Sequence, residues 1–276
     1  MTRFFMLTTA LTLSTPAFAQ GLTTPDLSPA AQVMQAVGVA EVTVTYSSPG
    51  KRDRTIWGDL VPHGELWRTG ANMATTLETS HDLTVGGQEV PAGIYAVFTI
   101  PGENEWTVIL NTNANQGGTG RYDKALDQAR FTVKPQKGAD RERLTFLFSN
   151  TTASSSDLEL VWAGTRVVMP IEVDTNALVL ASVDAYMSDA AGDLTSAARH
   201  LLREGHADKA LELIDAAIGM NRTWFNVWIK AEILHEQGDN KEARKVAQRA
   251  MDLGNKAENF FWKDRVEQAL AEWPKR

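Results

Sequence analysis

The chain contains no cysteine. It can form no disulfide, no thiolate nucleophile and no cysteine-ligated metal site. Its stability must rest on a packed core, and 276 residues are enough to bury most of the apolar surface. It also lacks an apolar run of the roughly 20 residues that a membrane helix requires, so no membrane span is expected. The five histidines, at 63, 81, 200, 206 and 235, show neither His-x-His nor His-Glu-x-x-His spacing. No metal site and no cofactor is therefore expected. Gly-x-Ser-x-Gly, Gly-x-Gly-x-x-Gly and Walker loops are all missing, and Gly86-Gly87 and Gly117-Gly118 read as turns. Basic residues are the minority charge: 27 Lys and Arg against 34 Asp and Glu give −7. That balance argues against nucleic acid or an anionic membrane surface as the main partner.

What is present begins at the N-terminus. Met1-Thr2-Arg3 precedes an apolar stretch from Phe4 to Leu13 and an exit at Ala17-Phe18-Ala19-Gln20. A basic start, a short apolar core and Ala-x-Ala form a secretory signal peptide over residues 1–19, cleaved after Ala19. The expected product is soluble and exported, to the periplasm of a Gram-negative bacterium. Loss of Arg3 would take the net charge from −7 to −8. Residues 20–29, rich in Thr, Ser and Pro, read as a mobile leader.

Residues 30–173 read as an all-β, sandwich-like domain. Val39 to Tyr46 alternates, with Val42, Val44 and Tyr46 on one parity and Glu41, Thr43 and Thr45 on the other. Ala74 to Ser80 is Thr-rich and β-prone, and Gly86-Gly87 supplies the positive φ of a tight hairpin. Ile94 to Ile100 is almost wholly apolar, which fits a central strand covered on both faces. Trp106 to Leu110, Ala129 to Val133, Arg143 to Ser149, Asp157 to Trp162 and Arg166 to Val173 add further strands, with Ala163-Gly164-Thr165 closing the last hairpin. Asn111 to Gly120 and the serines at 154–156 read as loop or linker.

The composition changes at Asp174, and residues 174–276 read as all-α. Asn176 to Met187 is a helix that Ala190 to Asp193 is expected to break. Beyond it lies an internal repeat: Ala198, Leu201, Gly205, Ala210, Ile214 and Ala217 are followed 33 residues later by Ala231, Leu234, Gly238, Ala243, Ala247 and Ala250. Small residues at this spacing let antiparallel helices pack closely, and the glycine ends the first helix of each pair. The period resembles the tetratricopeptide repeat, although the Pro that usually closes that repeat is absent. Lys256 to Trp273 is expected to form a terminal helix covering the open end. The aromatics Trp224, Phe225, Trp228, Phe260, Phe261, Trp262 and Trp273 either pack helix pairs together or line a surface that holds a peptide or partner protein.

The stretch Ser48 to Asn72 concentrates the candidate site. It holds Lys51, Arg52, Arg54, His63 and Arg68 together with Trp57 and Trp67. Two short β-type runs, Arg54 to Val61 and Glu65 to Thr69, flank a turn at Pro62-His63-Gly64. Neighbours on a strand face opposite ways, so only one of Trp67 and Arg68 enters the core unless both faces are covered. The ligand-binding candidates are Arg54, Trp57, His63, Trp67, Arg68, Thr69, Asn72 and Tyr95. Guanidinium forks and a Trp face could grip a small polar or saccharide-like ligand. The same residues could equally form a structural network, with Arg68 on a buried acid and Asn72 holding a turn. No catalytic residue stands out; His63 as a base, or Asp53 and Asp59 as a carboxylate pair, carry no distinguishing pattern.

The motifs Ser-Pro-x₄-Arg-x-Ile-Trp-Gly-x-Leu-Val-Pro, Gly-x-x-Trp-Arg-Thr-Gly-Ala-Asn-x-Ala-Thr and Pro-Ala-Gly-x-Tyr fall within residues 48–95. Together they resemble a bacterial family, the domain of unknown function numbered 2911, over roughly residues 30–173. The resemblance implies a β-rich domain, export and often a repeat-like helical tail, but no activity. His63 stands where an aromatic is usual, Met73 where an acid is usual, and Gly117-Gly118 in a loop that often holds Trp. If those positions shape a pocket, this member's ligand differs. Three readings follow: a non-catalytic binding module with a protein-interaction tail, a hydrolase using the same pocket, or a structural and assembly factor with no small ligand.

Overall fold

The computed structural model describes residues 24–274 of the chain. The signal peptide expected over 1–19, and residues 20–23, lie outside them. The chain divides at Val173/Asp174 into two compact units, an all-β unit followed by an all-α unit.

The first unit contains twelve strands among the described residues. They are β1 (Ala30–Val37), β2 (Ala40–Ser47), β3 (Thr75–Thr79), β4 (Leu83–Val85), β5 (Gln88–Val90), β6 (Gly93–Ile100), β7 (Trp106–Asn111), β8 (Asp127–Val133), β9 (Gln136–Lys137), β10 (Thr145–Ser149), β11 (Ser155–Trp162) and β12 (Thr165–Glu172). They pair as two antiparallel sheets, β1-β2-β3-β6-β7-β8 and β10-β11-β12-β4-β5, with β9 beside β12. Alternation sets the inner faces. Ala40, Val42, Val44 and Tyr46 of β2 are buried while Glu41 and Thr45 are exposed, and the Tyr46 ring meets Phe146 of the other sheet edge-on at 5.0 Å. β6 is buried on both faces from Tyr95 to Thr99. Its outer residues Ala96 and Phe98 pack with Ala74, Ile109 and Tyr122, so the polar loop after β7 closes over that face.

Two hairpins turn on paired positive φ, at Gly86-Gly87 (55° and 79°) and Ala163-Gly164 (46° and 78°), the mirror-image turn that matches strand twist. At Gly86 space adds to conformation: a Cβ would lie 2.2 Å from the Phe131 ring. Three sequence expectations are corrected here. Arg54 to Val61 and Glu65 to Thr69 are not strands but turns with single bridges, Trp57 to Val61 and Trp67 to Thr99. Positive φ at Arg52, Asp53, Gly58 and Gly64 keeps folding this stretch back. Ser155 and Ser156 belong to β11, with Ser156 buried and its hydroxyl 2.8 Å from that of Thr151. The leader is pinned at residues 26–29. Asn72 donates to Asp26, Arg52 to the Leu27 carbonyl, and Ser48 N–H to the Pro29 carbonyl.

The second unit contains α1 (Thr175–Arg203), α2 (Ala207–Met220), α3 (Trp224–Glu236), α4 (Asn240–Gly254) and α5 (Lys263–Glu272). Asp174, Thr223 and Asp239 cap α1, α3 and α4 through their side chains. α1 and α3 each end in a glycine with left-handed φ, Gly205 (81°) and Gly238 (84°), at matching places of the repeat. The repeated residues Ala198, Ala210, Ala217, Ala231, Ala243 and Ala250 are all at 0% exposure, and they let the helices approach. α1 runs unbroken through Ala190 to Asp193, contrary to the expected break. Alanine is the best helix former, a single Gly192 costs only about 1 kcal/mol, and Ala191 and Ala198 are held in the helical core. α5 is shorter than expected because the Phe260 ring packs where a Cβ on Gly254 would stand and lies 5.0 Å from Trp224. Residues 255–262 thus give up helix to bury aromatic surface.

Candidate functional site

The Trp-Arg-Thr-Gly-Ala-Asn segment begins as an edge pairing. Trp67 and Thr99 exchange both backbone hydrogen bonds, at 2.8 and 2.9 Å. Thr69 and Asn72 then both take φ of 56°, a left-handed conformation uncommon for side-chain-bearing residues. Thr69 is completely buried. Its carbonyl accepts from the Thr75 hydroxyl at 2.8 Å, and its own hydroxyl lies 3.2 Å from that of Thr99. Gly70 is required by close approach, since a Cβ there would stand 2.9 Å from the Thr75 hydroxyl.

Trp67 turns inward, and its indole N–H donates to the Gly70 carbonyl. It lies 5.8 Å from Trp57 and stacks on Trp162 at 6.1 Å, while Trp57 meets Trp106 at 4.8 Å. Edge-to-face and stacked pairs of this kind add roughly 0.5–1.5 kcal/mol each beyond their area. These four tryptophans come from both sheets and the Ser48–Asn72 stretch, so the aromatic half of the candidate set is part of the core.

The polar candidates share no common partner. Arg54 donates to the Lys51 and Gly50 carbonyls, at 3.1 and 2.7 Å, and ties its own turn. Asn72 reaches Asp26, the Ser28 carbonyl and the Ser47 hydroxyl. Tyr95 donates to the Pro91 carbonyl at 2.8 Å; burial raises its pKa, with the charge of Asp82 adding to it. His63 lies exposed in its turn, Nδ1 3.8 Å from a Glu103 carboxylate oxygen. The Arg68 Nε–H is buried without a partner. The backbone of Arg68 bonds to Thr75, and that of the next residue back, Ala74, bonds to Gln116. Gln116, 1% exposed, also leaves its side-chain oxygen Oε1 unpartnered. The Trp57 N–H is a third buried orphan.

The chain belongs to the DUF2911 family. The family model, described as a protein of unknown function, matches residues 28–171, which is the two-sheet unit and just over half of the chain. No curated protein and no solved structure matches. Within this DUF2911 unit the most tightly held charge pair was not among the candidates. Arg166 grips Glu159 through two bonds of 2.6 Å, and Ser149 donates to the same carboxylate. Arg166 holds the Glu159 carboxyl below its ordinary range although burial opposes this. Spacing gives the pair away only once the β11–β12 register is known.

Several open spaces lie in the helical unit, outside the DUF2911 match. A trough of about 810 Å³ lies between α2, α3 and α4, floored by Ile218, Val227, Val246 and Leu253. A second space of about 500 Å³, walled by Trp224, Phe225 and Phe261, shares Arg222 and Leu253 with it. Phe261 is 69% exposed at this wall and meets Trp224 edge-on at 4.9 Å. Sequence reading had marked these aromatics but not Arg222 or Arg249, which carry no motif. A third space of about 460 Å³ lies on the α1/α3/α5 side. There Arg199 sits over Phe225 and Trp262, and Arg265 pairs with Glu232, whose carboxyl burial holds above its usual range against that pairing.

Proposed function

We propose that this DUF2911 protein is an exported, non-catalytic binding module. The β unit is the rigid scaffold, and the helical unit docks a segment of a protein partner. Export is supported by the basic, apolar and Ala-x-Ala pattern of residues 1–19. No helix among the described residues is long and apolar enough to cross a membrane. The observation that carries the binding reading is the α2/α3/α4 trough, an apolar floor edged by charged side chains and open to solvent. Spaces that combine an apolar floor with a few polar groups are where ligands are held.

Gly219 offers a clean test. It lines the trough, and a Cβ added there meets nothing within 4 Å. Gly219→Trp should fill the trough while favouring the α2 helix. Panning the full chain against a random-peptide display library should enrich peptides that the parent binds and Gly219→Trp does not. No enrichment, or peptides indifferent to the plug, would remove the reading. Turnover of glycoside, ester or phosphate substrates by the purified chain would replace it with a hydrolase.

A second reading, a small polar ligand on the outer face of the β unit, is supported by the orphaned Arg68 Nε–H and Gln116 Oε1. A ligand hydroxyl or amide can both accept from such a donor and donate to such an acceptor. On this reading Arg68→Ala abolishes a saccharide- or carboxylate-induced rise in melting temperature and leaves the unliganded melt nearly unchanged. A large drop in the unliganded melt, with no ligand shift in the parent, assigns Arg68 to the scaffold.

A further inference from the structure

We infer that the trough and the aromatic space form one groove that takes an extended peptide carrying carboxylate side chains and an aromatic or large aliphatic anchor. This inference rests on the docking reading above and names the chemistry of the partner. Continuity is the first argument. The spaces of about 810 and 500 Å³ share Arg222 and Leu253, and together they exceed the roughly 300–1,000 Å³ of a small-molecule site.

Charge is the second argument. The acids Asp215 and Glu242 are already neutralised, Asp215 by Lys230 at 2.5 Å and Glu242 by Lys245 at 3.0 Å. Asp252 accepts from Gln248. The side chains of Arg222 and Arg249 line the groove and have no hydrogen-bond or ion-pair partner among the described residues. The lining is balanced in charge, Arg222, Lys230 and Arg249 against Asp215, Glu242 and Asp252, but each acid already has a partner while the two guanidiniums have none, so an incoming carboxylate meets free donors. Guanidinium forks match carboxylates in geometry. The third argument is the exposed Phe261, which stands beside Trp224 and Phe225 at the wall of the aromatic space. A large apolar side chain left exposed beside an apolar space marks where a partner side chain enters. Arg222 lines both spaces, so an acidic residue of the peptide would lie next to its anchor residue.

The same display selection, run on the full chain, tests this. The selected peptides should be enriched in Asp or Glu beside Phe, Tyr, Trp or Leu. Arg222→Glu and Arg249→Glu, both surface substitutions, should each weaken the best peptide about tenfold or more, with melting curves unchanged. The loss should shrink at high salt. Phe261→Ala should weaken the aromatic-bearing peptides and spare those without an anchor. Peptides blocked by Gly219→Trp but lacking acidic enrichment, and changed less than about twofold by both reversals, would overturn this inference and leave the docking reading standing. Peptides that ignore Gly219→Trp would overturn both.

Discussion

Arg166 and Glu159 show how a single pair ties strands together. Glu159 stands on β11 and Arg166 on β12, and Arg166 also donates to Gln136 of β9. Removing one partner of a fully buried pair costs roughly 3–5 kcal/mol. Here the Arg166 side chain is 29% exposed, so Glu159→Gln should cost less, about 2 kcal/mol. The sign with pH follows from the direction of the shift. The folded carboxyl titrates below the unfolded value of about 4.3. Its contribution is complete above that value and is lost as pH falls through the folded one. Urea midpoints of parent and Glu159→Gln should differ fully at neutral pH and converge below about pH 4. A gap that persists unchanged into strong acid would contradict the assignment. The same scale shows what residue type alone conceals. Thr69 and Asn72 are singled out by chemistry, yet both are set by a left-handed backbone, and their hydrogen bonds go to their own chain.

Helix α1 is the element whose behaviour departs most from its pattern. Its C-terminal half carries Ala191, Thr195 and Ala198 into the core, whereas Val179, Leu180, Val183 and Tyr186 near its start are exposed. The 29-residue helix outruns its 14-residue neighbour α2. Backbone amides from 179 to 187 should therefore exchange with solvent much faster than those from 194 to 202, measured by native-state hydrogen exchange. Gly192→Ala, at a position where a Cβ meets nothing, should raise stability by roughly 0.5–1 kcal/mol. A destabilised variant would mean that the helix is kinked at 192 in solution. The periodic glycines and alanines of the repeat were legible in the sequence because close helix packing excludes larger side chains. The continuity of α1 was not, because a local Ala-Ala-Gly-Asp looks like a break until the buried face of Ala191 is known.

At the scale of the whole molecule, one chain builds two separate cores. The β unit is closed by its own sheets and tryptophans, and the helical core draws on its own helices and on Phe260, Trp262 and Trp273 between and after them. A chain ending at Asp174 should keep its sheet signal in circular dichroism, disperse its NMR resonances and melt cooperatively. Failure to fold would show that the helical unit completes the β core. The strands were readable where one face is buried and the other wet, as in β2, because period-two alternation records burial directly. The stretch from 54 to 69 was misread as strands because its β-type residues serve turns and an aromatic cluster rather than ladders.

The sequence by itself determined the division of the chain near Asp174, the two fold classes and the membership of residues 28–171 in their family. Periodicity, turn glycines and local motifs are properties of neighbouring residues and survive without coordinates. Only the tertiary structure decided that Arg54 and Asn72 are spent on different parts of their own chain while the Arg68 Nε–H has no partner, and that Arg222 lines one space with Phe261. Which side chains meet across a distance depends on strand register and helix crossing, and neither is written in any local stretch of sequence.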